Sequence, residues 1–172
     1  MSCLVIGYGN TLRSDDGIGQ IVAQKIANCH LPEVRSLYLH QLTPELAVDI
    51  AEVELVIFVD ATLAAIAQRL AGSEIAPDVR VSRLQPLSSI EIRSHTSDPR
   101  MLLNLAQTLY NHCPQAWWVT IPGENFELGD KISPLARRGM AQALKQIDSL
   151  IKSAESNGEN SRQSSRSDRI TR

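Results

Sequence analysis

Residues 55–60 (LVIFVD) place five apolar side chains in succession and end on a carboxylate. A strand that is apolar on both faces has to be covered on both sides. That is the condition of a central strand in a parallel sheet flanked by helices. The rest of the chain alternates to match. Residues 3–8 (CLVIGY) form a short apolar run that ends in a glycine-containing turn, a first strand. Ile18, Ile21, Val22, Lys25 and Ile26 then keep helical spacing up to about Cys29 and His30, before Pro32. Residues 34–40 (VRSLYLH) alternate as a second strand. Thr43 is placed to cap a short helix with Pro44 at its first position and Glu45 in its first turn.

Residues 79–84 (VRVSRL) suit a strand nearer an edge, and Asp98-Pro99 opens a helix over 101–110. Residues 116–121 (AWWVTI) form another strand, with Trp117 and Trp118 on opposite faces. Ser133-Pro134 opens a long amphipathic helix to about Lys152. The expected fold is therefore α/β: a single-domain three-layer sandwich with a mostly parallel twisted sheet flanked by helices. Residues 1–152 make the domain. Residues 153–172, rich in serine and in charges of both signs, cannot offset their ordering entropy by burial and are expected to be disordered.

Composition excludes several functions. Seventeen Lys and Arg against nineteen Asp and Glu leave a formal charge of −2, without the basic face of a nucleic-acid binder or a polybasic membrane protein. No apolar run approaches the roughly 18 residues of a membrane span, and the N-terminus lacks a signal-peptide pattern. The expectation is a cytoplasmic monomer. Cys3, Cys29 and Cys113 are an odd, scattered set, read as small buried or half-buried hydrophobes rather than as a disulfide or zinc framework.

Ligands of open α/β sheets bind beyond the carboxyl ends of the strands. Three loops there can bring Asp16, Asp60 and His95 together. A dinucleotide reading of Gly7-x-Gly9 fails, because Leu12 stands where a third glycine belongs and Asp15-Asp16 precede the helix. Two carboxylates at a helix start repel the pyrophosphate that such a motif exists to bind. Two aspartates and an imidazole suit a divalent transition metal, nickel or zinc, and three ligands leave coordination positions open. Helix capping by Asp16, strand-end hydrogen bonding by Asp60 and a solvated loop around His95 account for the same residues without a metal. His30 and His112 sit at expected helix ends, a structural place for an imidazole. His40 faces the same rim as Asp60 without an evident partner. No nucleophile elbow of the form G-x-S-x-G occurs.

GYGNTLRSDDGIG at 7–19, VIFVDA at 56–61, His95 ahead of a helix, and IPGENFELGDKISP at 121–134 resemble the hydrogenase maturation endopeptidases. These enzymes trim the large subunit of [NiFe] hydrogenases, and the resemblance spans roughly residues 3–150. HQLTPEL at 40–46 is similar to the variant that serves the bidirectional, NAD-linked hydrogenase. The resemblance implies an aspartyl-type peptide-bond hydrolase that recognises nickel already installed in the large-subunit precursor and removes a C-terminal extension. Carried over by position, Asp16, Asp60 and His95 are the metal-contacting and catalytic residues. Gly9, Asn10, His40, Gln41 and Thr43 are substrate-recognition residues, the last three within a specificity segment at 40–45. Asp15 is then a structural cap, with a swap of roles between it and Asp16 left open. The metal arrives with the substrate and leaves with it, which suits an incomplete ligand set. Two other classes use the same rim: a non-catalytic escort that binds the loaded precursor, and a small-molecule binder or hydrolase on a flavodoxin-like sheet.

Overall fold

The computed structural model describes residues 1–71, 78–87 and 98–167, with side chains for 1–67, 78–87 and 98–156. The elements in chain order are β1 (Cys3–Tyr8), α1 (Ile18–Asn28), β2 (Val34–Leu39), α2 (Leu46–Ala51), β3 (Leu55–Leu63), α3 (Ala64–Ala71), β4 (Arg80–Leu84), α4 (Pro99–Tyr110), β5 (Gln115–Gly123) and α5 (Pro134–Ser167). The five strands form one sheet in the order β2-β1-β3-β5-β4. The contacts β1–β2, β1–β3 and β3–β5 are parallel, and β4 runs antiparallel to β5 at the edge. The sheet is therefore mixed, mostly parallel as expected, with the residue 79–84 strand at an edge.

The central place of β3 follows from its sequence. Leu55 through Val59 are all fully buried, and alternate side chains serve two cores. Cys3, Val5, Leu55, Ile57, Val59, Val119 and Ile121 pack with α1 and α5 on one face. Leu4, Ile6, Tyr8, Val56, Phe58 and Ala116 pack with α2 and α4 on the other. Trp117 leans on the first core and Trp118 on the second. Helices on both faces of one sheet make the three-layer arrangement. Among the described residues no helix is long and apolar enough to cross a membrane.

Helix α1 lies close on the sheet because of two glycines. A Cβ on Gly7 would collide with the Gly19 carbonyl oxygen, and one on Gly19 with the carbonyl oxygens of Val59 and Tyr8. The capping expectations hold for two helices. Asp98 is the N-cap of α4, accepting from the Arg100 N–H, with Pro99 at the first position. The Ser133 hydroxyl accepts from the Ala136 N–H at the start of α5.

Five expectations are corrected. Strand β3 does not stop at Asp60 but runs to Leu63, because Ala61–Leu63 continue the ladder against Ile121–Gly123. Helix α3, directly after it, was not expected at all. Thr43 does not cap α2 by its side chain. The helix begins at Leu46, after a turn in which the Leu46 and Ala47 N–H groups donate to the carbonyls of Thr43 and Pro44. Cys29 is exposed rather than buried. Helix α5 continues past Lys152 to Ser167. Ser149, Ser153 and Ser156 donate to carbonyls four residues back, so these serine hydroxyls are satisfied on the helix itself. Residues 168–172, the end of the expected tail, lie outside the described residues.

Candidate functional site

The rim at the carboxyl ends of β1 and β3 is built by two loops locked to each other. The loop after β1 docks on the loop between β5 and α5 through backbone and side-chain hydrogen bonds. The Ser14 N–H donates to Gly129 O, Gly129 N–H to Leu12 O, Asp15 N–H to Asn125 O, Arg13 Nε–H to Phe126 O, and the Ser14 hydroxyl to Glu127 O. The two sequence blocks at 7–19 and 121–134 are thus one structural unit.

Asp15 is its anchor and is fully buried. One carboxylate oxygen accepts the Glu124 and Asn125 N–H groups at 2.8 and 3.0 Å, and the other accepts the Ser133 N–H at 2.7 Å. Burial raises its pKa, but these donors outweigh it and hold Asp15 below the ordinary carboxylate range. All its acceptor capacity faces the interior, which assigns it the structural role and leaves the outward place to Asp16.

Asp16 is half-buried and accepts the Asn10 N–H at 2.9 Å through Oδ2. Gly9 and Asn10 shape the turn that presents it. Gly9 has φ +128°, and a Cβ there would strike the Asp16 carbonyl oxygen. The Asn10 side chain accepts the Leu12 N–H, and the Gly9 carbonyl accepts from Gln20.

Asp60 projects from β3 on the same face as Tyr8 and Trp118, and its Oδ1 accepts the Ala61 N–H at 2.8 Å. Burial pushes its pKa up to about 7, and the negative charge of nearby Asp16 adds to the rise. The Tyr8 hydroxyl and the Ala61 N–H oppose it. Near neutrality Asp60 is thus half protonated beside a second carboxylate, a place where an arriving cation displaces a proton. Among the described residues one oxygen of each aspartate accepts a backbone N–H, so the second oxygen of each is the one placed to meet a divalent metal.

Two hollows flank the end of β3. The larger, about 1370 Å³, is bordered by Asp60, Arg80, Trp118 and Thr120. The smaller, about 380 Å³, is bordered by Arg13, Asp16 and Phe126. They share Ala61, Thr62 and Ile66, so a cleft passes both aspartates.

Of the expected site residues, Asp16 and Asp60 are brought together. His95 lies outside the described residues, and among those no group of three His, Cys, Asp or Glu side chains converges to hold a metal. His40 and Gln41 are exposed and Thr43 is half-buried, after β2, which β1 separates from β3. Among the described residues that line the two hollows, none of these three occurs. His112 is structural, with Nε2 2.9 Å from Val53 O. Sequence reasoning missed Tyr8. The alternation Leu4, Ile6, Tyr8 already put it on the face shared by Phe58 and Asp60.

Neither a family model nor a curated protein sequence matches the chain. Solved structures do. A [NiFe] hydrogenase maturation protease, HycI from Thermococcus kodakarensis KOD1, superposes with a TM-score of 0.64 at 20% identity, covering 88% of this chain and 92% of its own. The hydrogenase maturating endopeptidase HybD from E. coli gives a TM-score of 0.63 at 20% identity, with 90% and 94% covered. A hydrogenase 2 maturation peptidase from Thaumarchaeota archaeon SCGC_AB-539-E09 gives 0.64 at 20%, with 88% and 99% covered. Over nearly its whole described length, this chain has the fold of those proteases.

Proposed function

We propose that the chain is an endopeptidase that recognises nickel in the precursor of a [NiFe] hydrogenase large subunit and removes its C-terminal extension. The observation that carries this reading is the Asp16–Asp60 pair, set in a cleft at the carboxyl ends of β1 and β3, on the fold of the maturation proteases. The nickel belongs to the substrate. It would be met by the second oxygens of Asp16 and Asp60, and by His95 as the third ligand. An incomplete protein ligand set fits a metal whose remaining ligands belong to the precursor. An arriving cation then shifts Asp60 further toward its ionised, ligating form, while an empty precursor leaves part of the population protonated. One of the two aspartates, or His95, orients the water that attacks the scissile carbonyl.

The bidirectional, NAD-linked hydrogenase is the proposed source of the precursor, on the likeness of residues 40–46. His40, Gln41 and Thr43 would act as an outlying contact on the rim, away from the cleft, with Gly9 and Asn10 shaping the inner edge. The working form is a cytoplasmic monomer. Incubating nickel-loaded and nickel-free precursor with the chain, and weighing the intact products, tests the reading. Loss of a defined C-terminal peptide from the loaded precursor alone is the expected result. Binding of the loaded precursor without any change in its mass would make the chain an escort instead.

A further inference from the structure

Among the described residues, two buried polar atoms beside Asp60 have no partner. The Tyr8 hydroxyl and the Trp118 indole N–H are both removed from solvent, and neither makes a well-formed hydrogen bond. Such orphans are uncommon in folded proteins, and two together at the mouth of a cleft ask for an explanation. They are neighbours. Tyr8 follows Gly7, the partner of Val59, so it stands beside Asp60 on the same face. Trp118 pairs with Phe58, on the other side of β3. The Tyr8 hydroxyl lies against both the Asp60 carboxyl and the Trp118 indole. A phenol carries its proton at neutral pH, so the Tyr8 hydroxyl is a donor as well as an acceptor.

The three side chains have complementary capacities. An indole N–H only donates, a phenol both accepts and donates, and an ionised carboxylate only accepts. We infer that Trp118, Tyr8 and Asp60 form a donor relay that closes when substrate is engaged. Trp118 Nε1–H donates to the Tyr8 oxygen, and Tyr8 O–H donates to Asp60. In this arrangement Tyr8 is a positioning residue, fixing the carboxylate that meets the substrate's metal. The Ala61 N–H already holds Oδ1, so the phenol supplies the second restraint and leaves one lone pair outward. No proton changes owner. Closing the relay gives both orphans a partner, and it takes a shortening of the Trp118–Tyr8 contact as well as of the Tyr8–Asp60 one. The inference rests on Asp60 being a metal contact of the proposed function.

The test uses the full chain with two readouts. Tyr8→Phe keeps the ring in its packed place and removes only the hydroxyl. Partners of metal-ligating groups typically matter 10- to 100-fold, so kcat/KM for nickel-loaded precursor should fall about tenfold or more. The unfolding temperature should not fall. Trp118→Phe should give a smaller loss in the wild-type background and none when added to Tyr8→Phe. Equal kcat/KM for Tyr8→Phe and wild type, in a preparation that does cleave, overturns the relay and leaves the proposed function standing. The second readout needs no cleavage. Saturating Zn²⁺, a diamagnetic probe, should move the Trp118 indole ¹H–¹⁵N resonance downfield in wild type and not in Tyr8→Phe, with Trp117→Phe giving the assignment. A resonance that stays in place, or moves equally in both, overturns the relay whatever the chain cleaves.

Discussion

Asp15 is the residue whose loss should be felt most in the fold, although Asp16 next to it carries the chemistry. The carboxylate is fully buried and accepts three backbone N–H groups at 2.7, 2.8 and 3.0 Å from Ser133, Glu124 and Asn125. Asp15→Ala leaves three donors without an acceptor, each worth about 1–3 kcal/mol. Both loops are near the surface, and water will reach some of these donors, so the lower end applies: about 3 kcal/mol in total. For a chain of this size that is a drop of about 6–12 °C in unfolding temperature. Asp15→Asn keeps one acceptor oxygen but turns an amide NH2 toward a donor, so it should recover little of the loss.

The pH dependence separates this account from a simple packing effect. Asp15 is held below its ordinary pKa in the folded chain. Its contribution is therefore fully present above the unfolded value of about 3.9 and is lost as pH falls through the folded value. Urea unfolding of wild type and Asp15→Asn should give a constant stability gap between pH 5 and 8, narrowing below about pH 4. A gap under about 1 kcal/mol at pH 7, the net worth of one ordinary hydrogen bond, would refute the assignment. So would a gap of unchanged size in acid.

Asp60 has the opposite sign. Its folded pKa of about 7 lies above the unfolded value, so ionising it works against the fold. The penalty is absent below about pH 4, grows as pH rises, and is complete above pH 7. Asp60→Asn should thus raise the unfolding temperature at pH 8.5 relative to wild type, with the difference fading at pH 4.5, while cleavage is lost. Gly19→Ala drives a methyl group into the Val59 and Tyr8 carbonyl oxygens. Calorimetry should show about 2 kcal/mol or more of destabilisation, as for other overpacked sites. Removing residues 157–172 should change the unfolding temperature by under about 2 °C, because the described core contacts of α5 end at Ala154.

The parts of the fold that could be read in advance carry strong periodicity or unambiguous punctuation. The residue 55–60 run, the 3–8 run ending at Gly7-Tyr8-Gly9, and the Asp98-Pro99 and Ser133-Pro134 openings all have one physical reading. Helix α3 lacks an opening signal. AAIAQRLA follows directly on a strand, with no capping residue, glycine or proline at its start, so that boundary is set by the tertiary ladder of Ala61–Leu63. The antiparallel course of β4 was equally hidden, since side-chain alternation is the same for both strand directions. At the site, the resemblance takes Asp16 as the metal contact and Asp15 as a structural cap but leaves a swap of roles open. Asp15 and Asp16 are adjacent in sequence, and only the docking of the 124–133 loop shows which one faces inward. Tyr8 looked like the apolar end of a strand, because its orphaned hydroxyl depends on three strands meeting.

The central claim is that a carboxylate pair completed by substrate-borne nickel cuts the precursor. The most direct measurement is a time course of intact precursor mass with wild type, Asp16→Asn and Asp15→Asn, at equal concentrations of folded protein. Wild type should shorten only the nickel-loaded precursor. Asp16→Asn should be slower by about 100-fold or more, the scale of a lost general base or metal contact. Asp15→Asn should cleave near the wild-type rate per folded molecule. Cleavage of nickel-free precursor, or an Asp16→Asn rate close to wild type, would contradict the account.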